Sequence, residues 1–187
     1  MNFQVTVLGH EQRDDFYRIH CEGCEMSGCY CTAWWVPTWE EWESRTPQQN
    51  HALREDLFRD AVYDGYILYA DSRPVGWSQC GPRDRIPKVA QTYNLISDEQ
   101  AWAITCIYLA PEFREIGLAH FFITEIIKDL TRQGIKYVQG FPRRGANLTS
   151  GDVWTGPEAI FRKAGFELER DDPLHPVYGR KLSMQEG

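Results

Sequence analysis

At 187 residues the chain has the length of one domain, enough to bury roughly 70% of the surface its unfolded form would expose. Hydrophobic residues make up 42% and charged residues 25%, a globular balance that excludes global disorder. The formal charge of −7 disfavours nonspecific binding to nucleic acid or to an anionic membrane, and no stretch approaches the roughly 20 apolar residues of a membrane helix.

The first residues carry no basic region followed by an apolar block, so a cytoplasmic protein with reduced cysteines is expected, without a disulfide framework. Phe3 to Leu8 alternates apolar and polar residues, the pattern of a half-buried strand. Glu11 to His20 reads as a short helix, and a cysteine-rich segment, Cys21 to Cys31, follows. Thr38 and Glu41 predict a capping box over Trp39 and Trp42; after Pro47, helical periodicity resumes from Gln48 to Val62. Gly65 to Ala70 and Val75 to Cys80 predict a hairpin closed by the turn Asp71 to Pro74. Gly81 to Gln100 shows turn residues and weak periodicity and is expected to be a long loop. Ala101 to Leu109, almost continuously apolar, predicts a buried central strand.

The strongest helix signal follows. Leu118, Phe122, Ile126 and Leu130 form one column at a spacing of four, flanked by Ala119, Ile123 and Ile127, and Gly134 can close the helix. Ile135 to Phe141 predicts a strand, Thr155 with Glu158 a capped helix start ending at Gly165, and Phe166 to Glu169 and Val177 to Leu182 two further strands. The order is mixed α/β around one sheet, a single domain over 1–187. Residues 1–62 supply an N-terminal strand and helices, and residues 64–183 form the core.

Chemistry concentrates between the central strand and the strong helix, where Arg114, Gly117 and Ala119 make an R-x-x-G-x-A turn. The first helical N–H groups have no intrahelical partner and carry partial positive charge. Gly117 lets the backbone approach a ligand, Ala119 keeps the approach open, and Arg114 adds a positive charge. Together they suit an anion such as a pyrophosphate, although a strand-to-helix turn tightened by a glycine looks the same at this level. The turn lacks the G-K-[ST] of a Walker loop and the G-x-G-x-x-G of a dinucleotide site.

Roughly 40 residues on stands Phe161-Arg162-Lys163-Ala164-Gly165-Phe166. An R-x-x-G-x-[GA] turn followed at that distance by [YF]-x-K-x-G-F resembles the GNAT acetyltransferase superfamily. Val75-Gly76-Trp77, Trp102 to Cys106 and Gly140-Phe141-Pro142 resemble a bacterial subgroup of mostly unassigned substrate. The resemblance implies an N-acetyltransferase carrying an acetyl group from acetyl-CoA to a primary amine of a small molecule or peptide. It places the cofactor on Ile107, Tyr108, Leu109, Arg114, Glu115, Ile116, Gly117, Leu118, Ala119, His120, Phe161 and Lys163. The N–H groups from about Glu115 to His120 would hold the pyrophosphate, backbone near Ile107 and Leu109 the pantetheine, and the Ile107 N–H the thioester oxyanion. The chain departs from the superfamily at Phe161, where many relatives carry a tyrosine acid, and at Ala103 and Thr105, where some carry a glutamate base. Glu115 replaces the usual glycine or basic residue. Tyr108, Asp152 and His120 are acid or base candidates by residue type only, which leaves a water chain as a route for the amine's proton.

Cys21, Cys24, Cys29 and Cys31 fall within eleven residues. They read as a zinc site, as a redox pair in Cys21 and Cys24, or as reduced packing cysteines. Trp34, Trp35, Trp39 and Trp42 read as acceptor-pocket walls or as core. Two further functions therefore stand beside acetyl transfer: a noncatalytic CoA-binding or metal-binding regulatory module, and a thiol oxidoreductase. The oligomeric state, a homodimer included, is left open.

Overall fold

The alternating and apolar segments pair edge to edge in a seven-stranded sheet among the described residues. The structure, a computed structural model, describes residues 1–21, 27–149 and 151–183. Strands β1 (Phe3–Val7), β2 (Tyr66–Ala70), β3 (Arg73–Pro82), β4 (Ala101–Leu109), β5 (Tyr137–Gly140), β6 (Glu167–Arg170) and β7 (Val177–Lys181) lie in the order β1-β2-β3-β4-β5-β7-β6. Every neighbouring pair is antiparallel except β4 and β5, which run parallel. The helices are α1 (Arg13–Ile19), α2 (Trp39–Ser44), α3 (Pro47–Arg59), α4 (Pro87–Thr92), α5 (Leu118–Arg132) and α6 (Glu158–Lys163).

The apolar face of α5 covers one side of the sheet. Phe122, Ile123, Ile126 and Leu130 are fully buried there against Leu68, Ile104 and Val138. Each such side chain contributes about 1.5–3 kcal/mol of burial free energy. On the other side Phe16 of α1 and Phe58 of α3 close over Ile67, Trp77 and Cys106. A third cluster joins Trp34, Ile86, Val89, Tyr93 and Phe141.

Three local expectations need correction. The stretch 81–100 is not all loop: it holds a 3-10 turn, Arg83–Arg85, and α4. Six residues are too few for a readable period, and α4 is held by tertiary contacts instead. The buried Lys88 donates to the carbonyls of Ala33 (2.9 Å) and Thr38 (3.1 Å) and sits 3.5 Å from the centroid of the Trp39 ring. The N-cap of α6 is Pro157, with no side-chain cap, so Thr155 and Glu158 do not form the expected box. A reciprocal box forms instead at α3, between Thr46 and Gln49. The hairpin turn is shorter than expected, with Asp71 in the left-handed region (φ 53°) and β3 already under way at Arg73.

His20 follows α1 and is fully buried, its ring stacked on Phe16 at 4.0 Å and its Nδ1 2.9 Å from the Phe16 carbonyl. Its Nε2 is buried without a partner. Burial lowers its pKa to about 3, so the folded chain holds it neutral. The unfolded chain takes up a proton below the ordinary imidazole pKa of 6.5, so folding stability falls as pH drops from 6.5 towards 3. Denaturant titration is expected to show a loss of about 2 kcal/mol between pH 7 and pH 5, and His20→Asn to remove it. An equal loss in the variant would assign the acid sensitivity to other groups.

Candidate functional site

β4 pairs with β5 only from Ala101 to Ile104, opposite Tyr137 to Gly140. β5 stops at Gly140, where the Phe161 ring presses so closely that a Cβ would lie 2.2 Å from its Cε1. β4 also carries a bulge: Cys106 stands opposite Gln79 and Ile104 opposite Cys80, so Thr105 is an extra residue. The side chains change phase there. Ile104, Ile107 and Leu109 pack towards α5, while Ala103, Cys106 and Tyr108 join the clusters on the other face.

Beyond the bulge β4 has no strand partner on its β5 side. The Ala110 N–H donates to Val75 on β3 (2.8 Å), so by alternation Ile107 and Leu109 turn their backbone groups into the splay. Three of these edge groups are engaged from outside the sheet. The Trp34 indole N–H donates to the Thr105 carbonyl (3.1 Å), the Ile107 N–H to the Trp154 carbonyl (2.9 Å), and Arg114 Nε to the Leu109 carbonyl (2.8 Å). The N–H expected to stabilise an oxyanion is therefore already committed to Trp154.

The turn after β4 lifts the chain into α5 through two left-handed residues, Glu115 (φ 62°) and Gly117 (φ 83°). Gly117 is the N-cap of α5, and a Cβ there would meet nothing within 4 Å, so the ground above the helix end is open. The N–H groups of Leu118 and Ala119 have no intrahelical acceptor, and among the described residues none meets those of Glu115, Ile116 or Gly117. The His120 N–H donates to the Gly117 carbonyl at 3.1 Å, so the cradle is one residue shorter than expected. Arg114 stands beside it, its guanidinium 5.6 Å from the centroid of the Tyr108 ring.

The remaining expected residues are scattered. Phe161 is fully buried against Gly140, Gly156 and Phe166, with no surface left for a ligand, and Lys163 is exposed on the last turn of α6. Ile116 is exposed, and Leu118 belongs to the core. Asp152 accepts hydrogen bonds from the Thr149 hydroxyl (2.7 Å) and N–H (2.9 Å), which hold its carboxyl below the usual range. It is ionised at neutral pH and too weak a base to take an ammonium proton efficiently.

Against the splay lies a cavity of about 280 Å³ walled by Trp34, Trp39, Tyr93 and Trp154, with Arg143 and Asp152 at its rim. Of the four tryptophans expected as walls, Trp34 and Trp39 take that place, while Trp35 and Trp42 do not line it. Tyr93, Trp154 and Arg143 had no sequence signal pointing to a site: Tyr93 follows the unforeseen α4, and the other two sit in the long segment between β5 and α6.

Cys21 is disulfide-bonded and Cys24 lies outside the described residues. The expectation of six reduced thiols therefore fails at Cys21, and a disulfide sulfur has no thiolate to give a metal. Cys29 and Cys31 are free, with Cys31 Sγ directed at Gln79 Oε1 (3.1 Å). Among the described residues no three His, Cys, Asp or Glu side chains gather as a metal site requires, so the zinc reading of this segment rests on no described geometry. No helix among them is long and apolar enough to cross a membrane.

Residues 30–150 match the model of the acetyltransferase (GNAT) family. No curated protein matches the chain by sequence. Among solved structures, the PaiA N-acetyltransferase of Thermoplasma acidophilum, in complex with coenzyme A, is similar at 17% identity and a TM-score of 0.56, covering 97% of this chain and 99% of that one. An N-acetyltransferase from Staphylococcus aureus Mu50 is similar at 14% identity and 0.54, covering 98% and 100%. A mosquito arylalkylamine N-acetyltransferase-like protein is similar at 13% identity and 0.56, covering 97% and 100%. At these identities the likeness is one of fold.

Proposed function

The chain belongs to the acetyltransferase (GNAT) family, and from that premise we propose that the Arg114–Ala119 turn holds the pyrophosphate of acetyl-CoA while the splay beside β4 receives its acyl arm. The observation that carries this reading is the row of uncommitted N–H groups from Glu115 to Ala119 under open ground at Gly117. They sit at the positive end of α5, a helix of 15 residues, where an anion is stabilised. Arg114 adds charge, and its bond to the Leu109 carbonyl fixes where that charge stands.

The Leu109 N–H and Ile107 carbonyl are then the edge groups left for an amide-bearing arm, in the manner of an added strand. The Ile107 N–H can serve an oxyanion only when the Trp154 carbonyl gives it up. In this reading Trp154 keeps that donor satisfied in the free chain and yields it to the thioester carbonyl. When the donor is bound, an amine attacks the acetyl carbonyl carbon, a carbon–nitrogen bond forms and the carbon–sulfur bond breaks. The chain holds the donor, positions the amine and excludes water; the amine's proton leaves to solvent, because Phe161, Ala103 and Thr105 offer no acid or base.

Calorimetric titration with CoA is expected to show stoichiometric binding in the micromolar range, and acetyl-CoA with an amine panel to release free thiol. No heat with CoA would sink the donor site. Binding of CoA with no thiol release from any amine would favour a noncatalytic CoA-binding module instead.

A further inference from the structure

We propose that the aromatic cavity beside the splay is an acceptor site for a zwitterionic α-amino acid with a flat aromatic side chain. The proposal deepens the acetyltransferase reading and rests on it. Position comes first. Trp34 lines the cavity and bonds the Thr105 carbonyl, and Trp154 lines it and bonds the Ile107 N–H. Two residues of the cavity lining are therefore tied to β4, one at Thr105 and the other at Ile107, whose N–H is the expected oxyanion donor.

The walls select the side chain. The rings of Trp34 and Trp154 lie 5.5 Å apart at 42°, and those of Trp34 and Tyr93 6.1 Å apart at 39°. The Trp34 indole N–H is spent on β4 and Trp34 is buried among the other rings, so the little of it that reaches the cavity is apolar. Lys88 holds Trp39 in place from outside the cavity lining. At these distances the rings pack on one another, so they make one continuous aromatic wall, and a planar apolar group can lie against it with more contact than a branched or strongly polar one. At about 280 Å³ it is at the small end of ligand cavities, which suits one amino acid and is cramped for a peptide segment.

The rim selects the backbone of the amino acid. Arg143 and Asp152 stand side by side with Arg143 Nη1 3.7 Å from Asp152 Oδ1, too far for a tight hydrogen bond, and Arg143 Nε is buried without a partner. Each charge therefore has capacity left. A guanidinium and a carboxylate a few ångströms apart complement an α-carboxylate and an α-ammonium at the same spacing, and a charge-assisted pair on each side fixes orientation as well as affinity. His175 also lines the cavity and adds a second polar group to it. A simple arylalkylamine would satisfy the walls and Asp152 but leave Arg143 unused. In the reaction the α-ammonium first gives one proton to solvent, the freed α-nitrogen bonds to the acetyl carbon, the carbon–sulfur bond breaks, CoA leaves as thiolate, and a second proton passes from the nitrogen to solvent, giving an N-acetylamino acid.

The test titrates the free full-length chain calorimetrically with L-phenylalanine, phenethylamine and L-alanine, so that no donor is needed. L-Phenylalanine is expected to bind about ten-fold or more tightly than phenethylamine, which lacks the carboxylate, or L-alanine, which lacks the ring. Arg143→Gln should erase the advantage over phenethylamine without weakening phenethylamine itself, whose ammonium then meets Asp152 free of the neighbouring cation. Equal affinity for the three probes, no saturable heat with L-phenylalanine, or an Arg143→Gln variant that keeps the advantage would each overturn the proposal. A parallel CoA titration separates the two readings. CoA heat without L-phenylalanine heat removes only the acceptor assignment, and absence of CoA heat removes the donor site while the amino-acid titration still decides the cavity.

Discussion

Gly117→Asp is expected to cost at least about 100-fold in acetyl-CoA affinity while the chain still folds. The position has φ 83°, which L residues rarely adopt, so any side chain there costs of order 1–3 kcal/mol in strain. That cost does not clash with the core, because a Cβ at Gly117 meets nothing within 4 Å. The specific effect is electrostatic. A carboxylate at the N-cap of α5 would satisfy the helix's own N–H groups and repel the phosphates that those groups would otherwise hold. Gly117→Ala carries the same backbone strain without the charge and should keep most of the affinity. Calorimetry with CoA on both variants, beside their thermal melts, reads the difference. Equal, undiminished affinity in the aspartate variant would remove the turn from the donor site.

Arg54→Ala is expected to destabilise the chain by about 3–5 kcal/mol. Arg54 is 1% exposed. Its Nε donates to the Tyr30 carbonyl (3.0 Å) and its Nη2 to the Cys31 carbonyl (2.7 Å), and its guanidinium lies over Phe16 at 5.0 Å and Phe58 at 5.5 Å. Tyr30 and Cys31 both have positive φ, 45° and 48°, so the guanidinium clamps two successive strained residues that lead into the Trp34 wall of the cavity. Removing it leaves two carbonyls without their donor and opens a cavity between α1 and α3. Arg54→Lys should rescue little, because an ammonium on a flexible stem does not reproduce the planar two-donor fork. Chemical denaturation of both variants measures the loss; a change below about 1 kcal/mol would mean the segment is held by its ring contacts alone.

The elements legible in the chain were those with many residues in phase. Leu118 to Leu130 carried its period over three turns, and β4 was bounded correctly at Ala101 and Leu109, because a strand buried on both faces reads as an unbroken apolar run. The left-handed Gly117 at the start of α5 is legible for a related reason: a glycine between a strand and a helix needs no distant partner to place its N–H groups. α4 was not legible, since Lys88, its buried residue, is held by the carbonyls of Ala33 and Thr38, some fifty positions away. The family resemblance alone points Phe161 at the cofactor, while its surroundings make it a core residue under Gly140.

What the sequence determined by itself is local: the period of α5, the apolar run of β4 and the backbone freedom of Gly117 follow from side chains within a few residues of each other. Only the tertiary structure decided which backbone groups are spent. The bulge at Thr105, the Trp154 carbonyl on Ile107 and the meeting of Trp34, Tyr93 and Trp154 around one cavity all depend on residues dozens of positions apart. The physical reason is that a hydrogen bond or a packed ring is a pairwise property, fixed when the chain closes long loops and invisible in either partner's immediate neighbours.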